Sequence, residues 1–128
     1  MKKIIVVDDE PEIIEVLKEF LGKKGYEVIT ALEGAEALNI LLKNNDIDMM
    51  LLDRKMPKVD GITVLKKLKE SGRDIPVILM TGSVGFEHHA EEMEKLGYVR
   101  EDILIKPVDL YVLLNLIEKK LSTADGSV

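Results

Sequence analysis

The chain has 128 residues, which is the size of one domain with a single hydrophobic core. Its composition, 46% hydrophobic and 33% charged, is typical of a globular protein and excludes a disordered or membrane-embedded chain. The net charge of -6 argues against a nucleic-acid-binding surface on this domain, and the lack of cysteine excludes a disulfide framework, a thiol nucleophile and a cysteine zinc site.

Five short apolar runs predict five β-strands. The first, residues 4–7, follows a basic start but is too short for an export signal or a membrane span, so we expect a cytoplasmic protein without membrane contact. The others are 28–29 within YEVIT, 49–52, 77–80 and 103–105. Four runs are continuously apolar, as in strands covered on both faces, whereas the second is flanked by polar residues and is predicted to be an edge strand.

Segments with helical periodicity separate the runs. Five alternations of strand and helix predict an α/β fold with a doubly wound parallel sheet and helices on both faces. We place the domain at 1–121 and interpret 122–128, STADGSV, as a polar tail or the start of a linker. The apolar positions of the helices are Ile13, Val16, Leu17, Phe20 and Leu21; Ala37, Leu38, Leu41 and Leu42; Leu65 and Leu68; Phe86, Ala90, Met93 and Leu96; and Leu110, Leu113, Leu114, Ile117 and Leu121.

Polar side chains follow four of the predicted strands. In open parallel sheets ligands bind at the carboxyl ends of the strands, so these side chains form the candidate site. They are Asp8, Asp9 and Glu10 after the first strand, Asp53 after the third, Thr81 with Gly82 after the fourth, and Lys106 with Pro107 after the fifth.

Clustered carboxylates repel one another unless a proton or a cation is bound. Mg²⁺ fits such a cluster because it accepts one or two carboxylates, keeps water ligands and binds phosphate oxygens. A carboxylate can also attack phosphorus to give an acyl phosphate, while a lysine and the metal neutralise the charge of the transferring group. The cluster therefore predicts phosphoryl chemistry with magnesium.

Each of these residues also has an ordinary structural interpretation. Asp8 or Asp9 could cap the following helix, Thr81 could be a turn residue and Lys106 a surface residue. Asp53 differs because the next helix is predicted to begin only near Gly61, too far away for Asp53 to cap it. Only the predicted convergence of these side chains at one edge of the sheet favours a functional site.

The chain resembles the receiver domain of two-component response regulators along nearly its whole length. The resemblance lies in the Asp8–Asp9 pair, in Asp53, Met56, Pro57, Asp60 and Gly61 of a D-x-x-M-P-x-x-D-G pattern, in Thr81 with Gly82, and in Lys106 with Pro107. It implies a flavodoxin-like sheet in the order 2-1-3-4-5 and a cis Lys106–Pro107 bond.

The resemblance also implies the residue roles. Asp53 would be the phosphoacceptor for a sensor histidine kinase or a small phosphodonor, and Lys106 and Thr81 would respond to the phosphoryl group. Mg²⁺ would be held by Asp9, Asp53 and the Lys55 backbone carbonyl, with Asp8 acting through water. Phosphorylation would re-pose the face formed by the fourth helix, fifth strand and fifth helix for a downstream partner, or for an effector domain outside this sequence.

Some features depart from the family pattern. Family members usually carry Tyr or Phe three residues before the lysine, and its ring turns inward on activation. Here that position is Ile103, so the sequence does not indicate how a change at Thr81 would reach the face formed by the fourth helix, fifth strand and fifth helix.

The GYVREDILIKP segment is longer than usual, which predicts a different loop before the fifth strand. Lys55 is predicted to shield the phosphoryl group and prolong its life. The adjacent His88 and His89 are interpreted as surface residues on a helix.

Two other functions are weighed against the switch. A magnesium-dependent aspartyl-phosphate phosphotransferase or phosphatase usually carries D-x-D after its first strand, whereas this strand ends in DDE. A flavodoxin-like electron carrier is disfavoured by the 4% aromatic content and by the lack of a phosphate-cradling loop after the first strand.

Overall fold

The computed structural model describes residues 1–56, 58–82 and 86–124. The prediction made for Pro57 and the end of the predicted tail, 125–128, lie outside the described residues. Within these ranges the strands are β1 (Lys3–Val7), β2 (Glu27–Ala31), β3 (Met49–Asp53), β4 (Val77–Thr81) and β5 (Ile103–Ile105). The helices are α1 (Pro11–Lys23), α2 (Gly34–Lys43), α3 (Gly61–Glu70), α4 (Phe86–Lys95) and α5 (Leu110–Ala124), with a 3-10 helix at Arg100–Asp102.

The strands form one parallel sheet in the order β2-β1-β3-β4-β5, as predicted. β2 lies at an edge, which explains its polar flanks. The Lys106–Pro107 peptide bond is cis, in agreement with the resemblance. Within the described ranges, no helix is long and apolar enough to cross a membrane.

Two apolar clusters cover the two faces of the sheet because alternate strand residues point to opposite sides. Ile5, Val7, Met50, Leu52 and Leu79 pack on the side of α2, α3 and α4. The intervening residues of the same strands pack on the side of α1 and α5; they are Ile4, Val6, Met49, Leu51, Ile78 and Met80. β3 and β4 are thus buried on both faces, and this packing holds the carboxyl ends of the two strands in place.

Three details differ from the sequence predictions. Leu42, assigned to the apolar face of α2, is 55% exposed. α1 buries Ile14, Leu17 and Leu21, whereas Val16, assigned to its apolar face, is 52% exposed. The helix carries more apolar residues than one stripe can hold, and only its contact with the sheet selects among them. α5 continues to Ala124, so the segment interpreted as a polar tail begins inside this helix.

Candidate functional site

The strand register brings the predicted site residues to one edge of the sheet. Val7 pairs with Leu52, and Asp53 pairs with Met80, while Thr81 pairs with Ile105. Asp8, Asp53, Thr81 and Lys106 therefore lie at or immediately beyond the carboxyl ends of four neighbouring strands. The convergence predicted from the sequence is confirmed.

Lys106 connects two carboxylates at this edge. Its Nζ lies 3.1 Å from Oδ2 of Asp8 and 3.3 Å from Oδ1 of Asp53. Asp8 and Asp53 are both buried, so these charge-assisted contacts are screened little by solvent. A third acid, Glu10, is 3.7 Å from the same ammonium group.

The electrostatics of Asp53 and Lys106 reflect their burial and each other. Burial, and then the neighbouring Asp8 carboxylate, raise the pKa of Asp53 to about 6, although Lys106 and a backbone hydrogen bond from Lys55 oppose the rise. For Lys106, burial acts to lower the pKa, but the hydrogen bond to Asp8 and the two nearby carboxylates together raise it above its ordinary value. Lys106 thus remains a cation beside an acid that ionises reluctantly.

Asp8, Asp9 and Glu10 form an acidic cluster next to Asp53. One ligand atom from each lies within 4.8 Å of the others. The Glu10 backbone N–H donates to Oδ1 of Asp8 at 2.9 Å, which ties the cluster to the β1–α1 turn. The N-cap of α1 is Glu10, so neither Asp8 nor Asp9 occupies the ordinary capping position considered from the sequence.

An open cavity of about 580 Å³ lies above Asp53. It gives small molecules access to a carboxylate that is itself only 4% exposed. Its lining consists of Asp9, Glu10, Asp53, Lys55, Met56, Gly82 and Lys106. Lys55 thus borders the same cavity as Asp53. This is where the sequence analysis expects Lys55 to shield a phosphoryl group.

The loop after Asp53 is held by the start of α3. The N–H of Gly61 donates to the carbonyl of Arg54 at 2.9 Å, and a Cβ at Gly61 would come within 2.8 Å of the Asp53 carbonyl oxygen. Only glycine permits this approach of α3 to the backbone of the loop. Asp60 caps α3 by accepting from the Thr63 N–H at 3.0 Å. Asp53 is therefore free of a capping role, as predicted.

Thr81 has a partner that the sequence interpretation missed. Nδ1 of His89 lies 3.2 Å from Oγ1 of Thr81, and both side chains are buried. Burial, and then the nearby Arg54 guanidinium, lower the pKa of His89. The surface interpretation holds for His88, whose side chain is 71% exposed, but is wrong for His89. The spacing of eight residues between Thr81 and His89, across a loop into a helix, gave no sequence signal for this contact.

Ile103 and Tyr98 pack on the side of the sheet that α4 covers, together with Ala90 and Met93 of that helix. Ile103 is buried and pairs with Leu79, two residues before Thr81. Tyr98 precedes β5 and packs beneath Lys69, whose Nζ lies 4.6 Å from the ring centroid. The connection before β5 contains the 3-10 helix Arg100–Asp102, and the N–H of its N-cap residue Val99 donates to Asp102. A loop shape different from that of other family members stays a prediction.

The fold is that of a receiver domain. The sequence model of the response regulator receiver domain family matches residues 4–118, and the chain belongs to that family. Response regulator SaeR of Staphylococcus aureus is 36% identical over 107 residues, which cover 84% of this chain and 45% of that protein. The chain thus spans less than half the length of this curated relative.

Solved receiver structures are similar over nearly the whole chain. A receiver domain from Clostridium thermocellum has a TM-score of 0.88 at 32% identity, covering 98% of both chains. Vibrio cholerae chemotaxis protein CheY4 has a TM-score of 0.83 at 28% identity, covering 94% of this chain and 98% of that one. Thermotoga maritima TrrA, solved in complex with Mg²⁺-BeF, has a TM-score of 0.78 at 34% identity, covering 93% and 98%.

Proposed function

We propose that this receiver domain is a phosphorylation-controlled switch in which Asp53 accepts a phosphoryl group from a sensor histidine kinase or a small phosphodonor. The observation that carries the proposal is the position of Asp53: a buried carboxylate that opens onto a cavity and lies 3.3 Å from the Lys106 ammonium. Asp8 lacks this access in the described residues, since it is fully buried and does not line that cavity.

The chemistry follows from the charges at this edge. A carboxylate oxygen of Asp53 attacks phosphorus, the bond to the donor's leaving group breaks, and an acyl phosphate results. With a pKa of about 6, Asp53 is mostly ionised near neutral pH and more basic than an exposed aspartate. Lys106 neutralises charge on the incoming group and then pairs with it, because its ammonium already lies against the attacking carboxylate.

The acidic cluster fits a divalent cation. Three acids within 4.8 Å, beside an Asp53 that resists ionisation, provide hard oxygen ligands with more negative charge than the single Lys106 ammonium neutralises. We propose Asp9, Asp53 and the Lys55 backbone carbonyl as ligands of Mg²⁺, with Asp8 acting through water. The bound ion would supply charge neutralisation at the phosphoryl oxygens. The similarity to TrrA, solved with Mg²⁺-BeF, supports this assignment.

Phosphorylation is proposed to change partner binding at the face formed by α4, β5 and α5. Ile105 and Val112 expose 44% and 52% of their surface there, which offers apolar contact to a protein partner. The partner is either a separate protein or an effector domain of a longer chain; the relative SaeR is about twice as long as this chain. With a net charge of -6, this domain is not proposed to bind nucleic acid itself. The cysteine-free composition favours the cytoplasm as its compartment.

Phosphodonor labelling tests the proposal. Incubation with acetyl phosphate and Mg²⁺ should add one phosphoryl group to the intact protein, and EDTA or Asp53→Asn should abolish the addition. Asp74→Asn, an exposed acid far from the cavity, is the matched control and should be labelled as the wild type is. Sustained turnover of external phosphate esters would instead identify an enzyme and contradict a switch.

A further inference from the structure

The contact between Thr81 and His89 joins the phosphoacceptor edge to helix α4. Thr81 is 4% exposed and ends β4, while His89 is 9% exposed and lies one turn into α4. Their side chains meet at 3.2 Å, so each buried polar group satisfies the other. The side chains of the other described residues that α4 buries, Ala90 and Met93, are apolar, and their contacts lack the directionality of a hydrogen bond.

The Thr81 hydroxyl can donate a full hydrogen bond to only one partner at a time. Burial and the Arg54 guanidinium lower the pKa of His89 and so favour the neutral imidazole, which has one nitrogen free to accept. A threonine hydroxyl has a single hydrogen. Thr81 can give this hydrogen to Nδ1 of His89 or to an oxygen of a group bound on Asp53, but not fully to both. Among the described residues, the lining of the cavity above Asp53 includes Gly82 and not Thr81, as expected if the hydroxyl is turned toward His89.

We propose that His89 is the positioning residue that couples Thr81 to helix α4. In the unphosphorylated chain its Nδ1 accepts the Thr81 hydroxyl hydrogen, and transfer of this hydrogen bond to a phosphoryl oxygen on Asp53 releases His89 and with it α4. The inference rests on the proposed function and adds a route by which phosphorylation of Asp53 would change the position of α4. Ile103 has no polar atom with which to serve this role, and Tyr98 is occupied beside Lys69.

The test compares four versions of the 128-residue chain loaded with Mg²⁺ and beryllofluoride, which mimics a phosphoryl group. They are the wild type, His89→Leu, His89→Asn and the control His88→Leu. The leucine fills the buried volume without an acceptor. The asparagine Oδ1 is as many bonds from the backbone as the histidine Nδ1, so this variant restores an acceptor at the same place. Loading is measured separately by ¹⁹F NMR, and the α4 response by the backbone amide shifts of residues 87–95.

We expect beryllofluoride to load all four proteins to the same stoichiometry. The α4 amides should shift in the wild type and in His88→Leu, should lose most of that shift in His89→Leu, and should recover at least half of it in His89→Asn. In long-range ¹H–¹⁵N spectra of the wild type, Nδ1 of His89 should be the unprotonated nitrogen and should shift on loading, whereas the His88 ring should not.

The inference and the proposed function fail in different ways. If the wild type takes up no beryllofluoride, both are overturned. If loading is normal but His89→Leu keeps the full α4 response, or if Nδ1 of His89 carries the proton before loading, the coupling through His89 is overturned while the phosphoacceptor assignment stands.

Discussion

Asp53 is an acid held where its ionisation is unfavourable. Burial and the Asp8 carboxylate raise its pKa to about 6, from an ordinary value of 3.8. The folded chain therefore binds this proton more tightly than the unfolded chain. It follows that the contribution of Asp53 to stability is greatest below pH 4, falls as the pH rises from 4 to 6, and stays low above that range.

Substitution of Asp53 by asparagine should therefore stabilise the metal-free protein at pH 7.5. Each pH unit between the folded and unfolded pKa corresponds to about 1.4 kcal/mol, so we expect the free energy of unfolding to rise by about 1–3 kcal/mol. The measurement is urea denaturation in EDTA between pH 4 and pH 8. Asp74→Asn is the control, and a lower stability of Asp53→Asn at pH 7.5 would refute the electrostatic account.

Lys55 borders the cavity above Asp53, where a phosphoryl group on Asp53 would lie, and its side chain is cationic. If it shields that group from water, Lys55→Asn should hydrolyse its phosphate a few-fold faster than the wild type. The decay of ³²P-labelled protein gives the rate. Lys58→Asn removes an exposed cation from the same loop and should leave the decay unchanged. Equal rates for the wild type and Lys55→Asn would eliminate the shielding role.

The start of α3 determines where the loop after Asp53 can lie. Gly61 allows the helix to touch the loop backbone, and Asp60 both caps α3 and lies 3.7 Å from the Arg54 guanidinium. Burial, and then the Arg54 guanidinium, lower the pKa of His89. Arg54 therefore links the α3 cap and the loop after Asp53 to the contact between Thr81 and His89.

Removal of the Asp60 cap should destabilise the fold. Asp60→Ala leaves the Thr63 N–H without its side-chain acceptor, and we expect a loss of about 1 kcal/mol in the free energy of unfolding. Asp74→Ala breaks an exposed ion pair with Lys69 and should cost less than half as much. Chemical denaturation of both variants measures the difference; equal losses would show that the cap contributes little.

The sequence was most informative where local pattern and buried environment agree. The apolar runs of β3 and β4 predicted strands covered on both faces. The distance in sequence from Asp53 to the next helix predicted an acid that is free of a capping role. It was least informative where tertiary contact decides. Val16 and Ile14 are equally suited to an apolar helix face, and His89 is buried only because α4 packs over the end of β4.

At the scale of the whole molecule, the site exists only in the folded chain. Lys106 and Asp8 are 98 residues apart in sequence and meet because the strand order places β1, β3, β4 and β5 side by side. The two apolar clusters on either face of the sheet hold these strand ends in place and concentrate acidic charge at one edge. A cation that binds there binds the folded state alone.

Magnesium should therefore stabilise the whole domain. At a concentration 100 times its Kd, Mg²⁺ should raise the free energy of unfolding by about 2.7 kcal/mol. Asp9→Asn should lose most of this increment, whereas Asp74→Asn should keep it. Thermal unfolding across a magnesium titration measures the effect. An equal increment in wild type and Asp9→Asn would show that the acidic cluster is not the binding site.

The most direct test of the account is to map the phosphoryl group to one residue. After reaction with acetyl phosphate and Mg²⁺, the protein is reduced with borohydride, which converts an aspartyl phosphate to homoserine, and is then digested and sequenced by mass spectrometry. The account predicts one base-labile phosphate before reduction and, after it, one homoserine, at Asp53, with the phosphate released. Modification at Asp8, Asp9 or Glu10 instead, or modification that persists in Asp53→Asn, would contradict it.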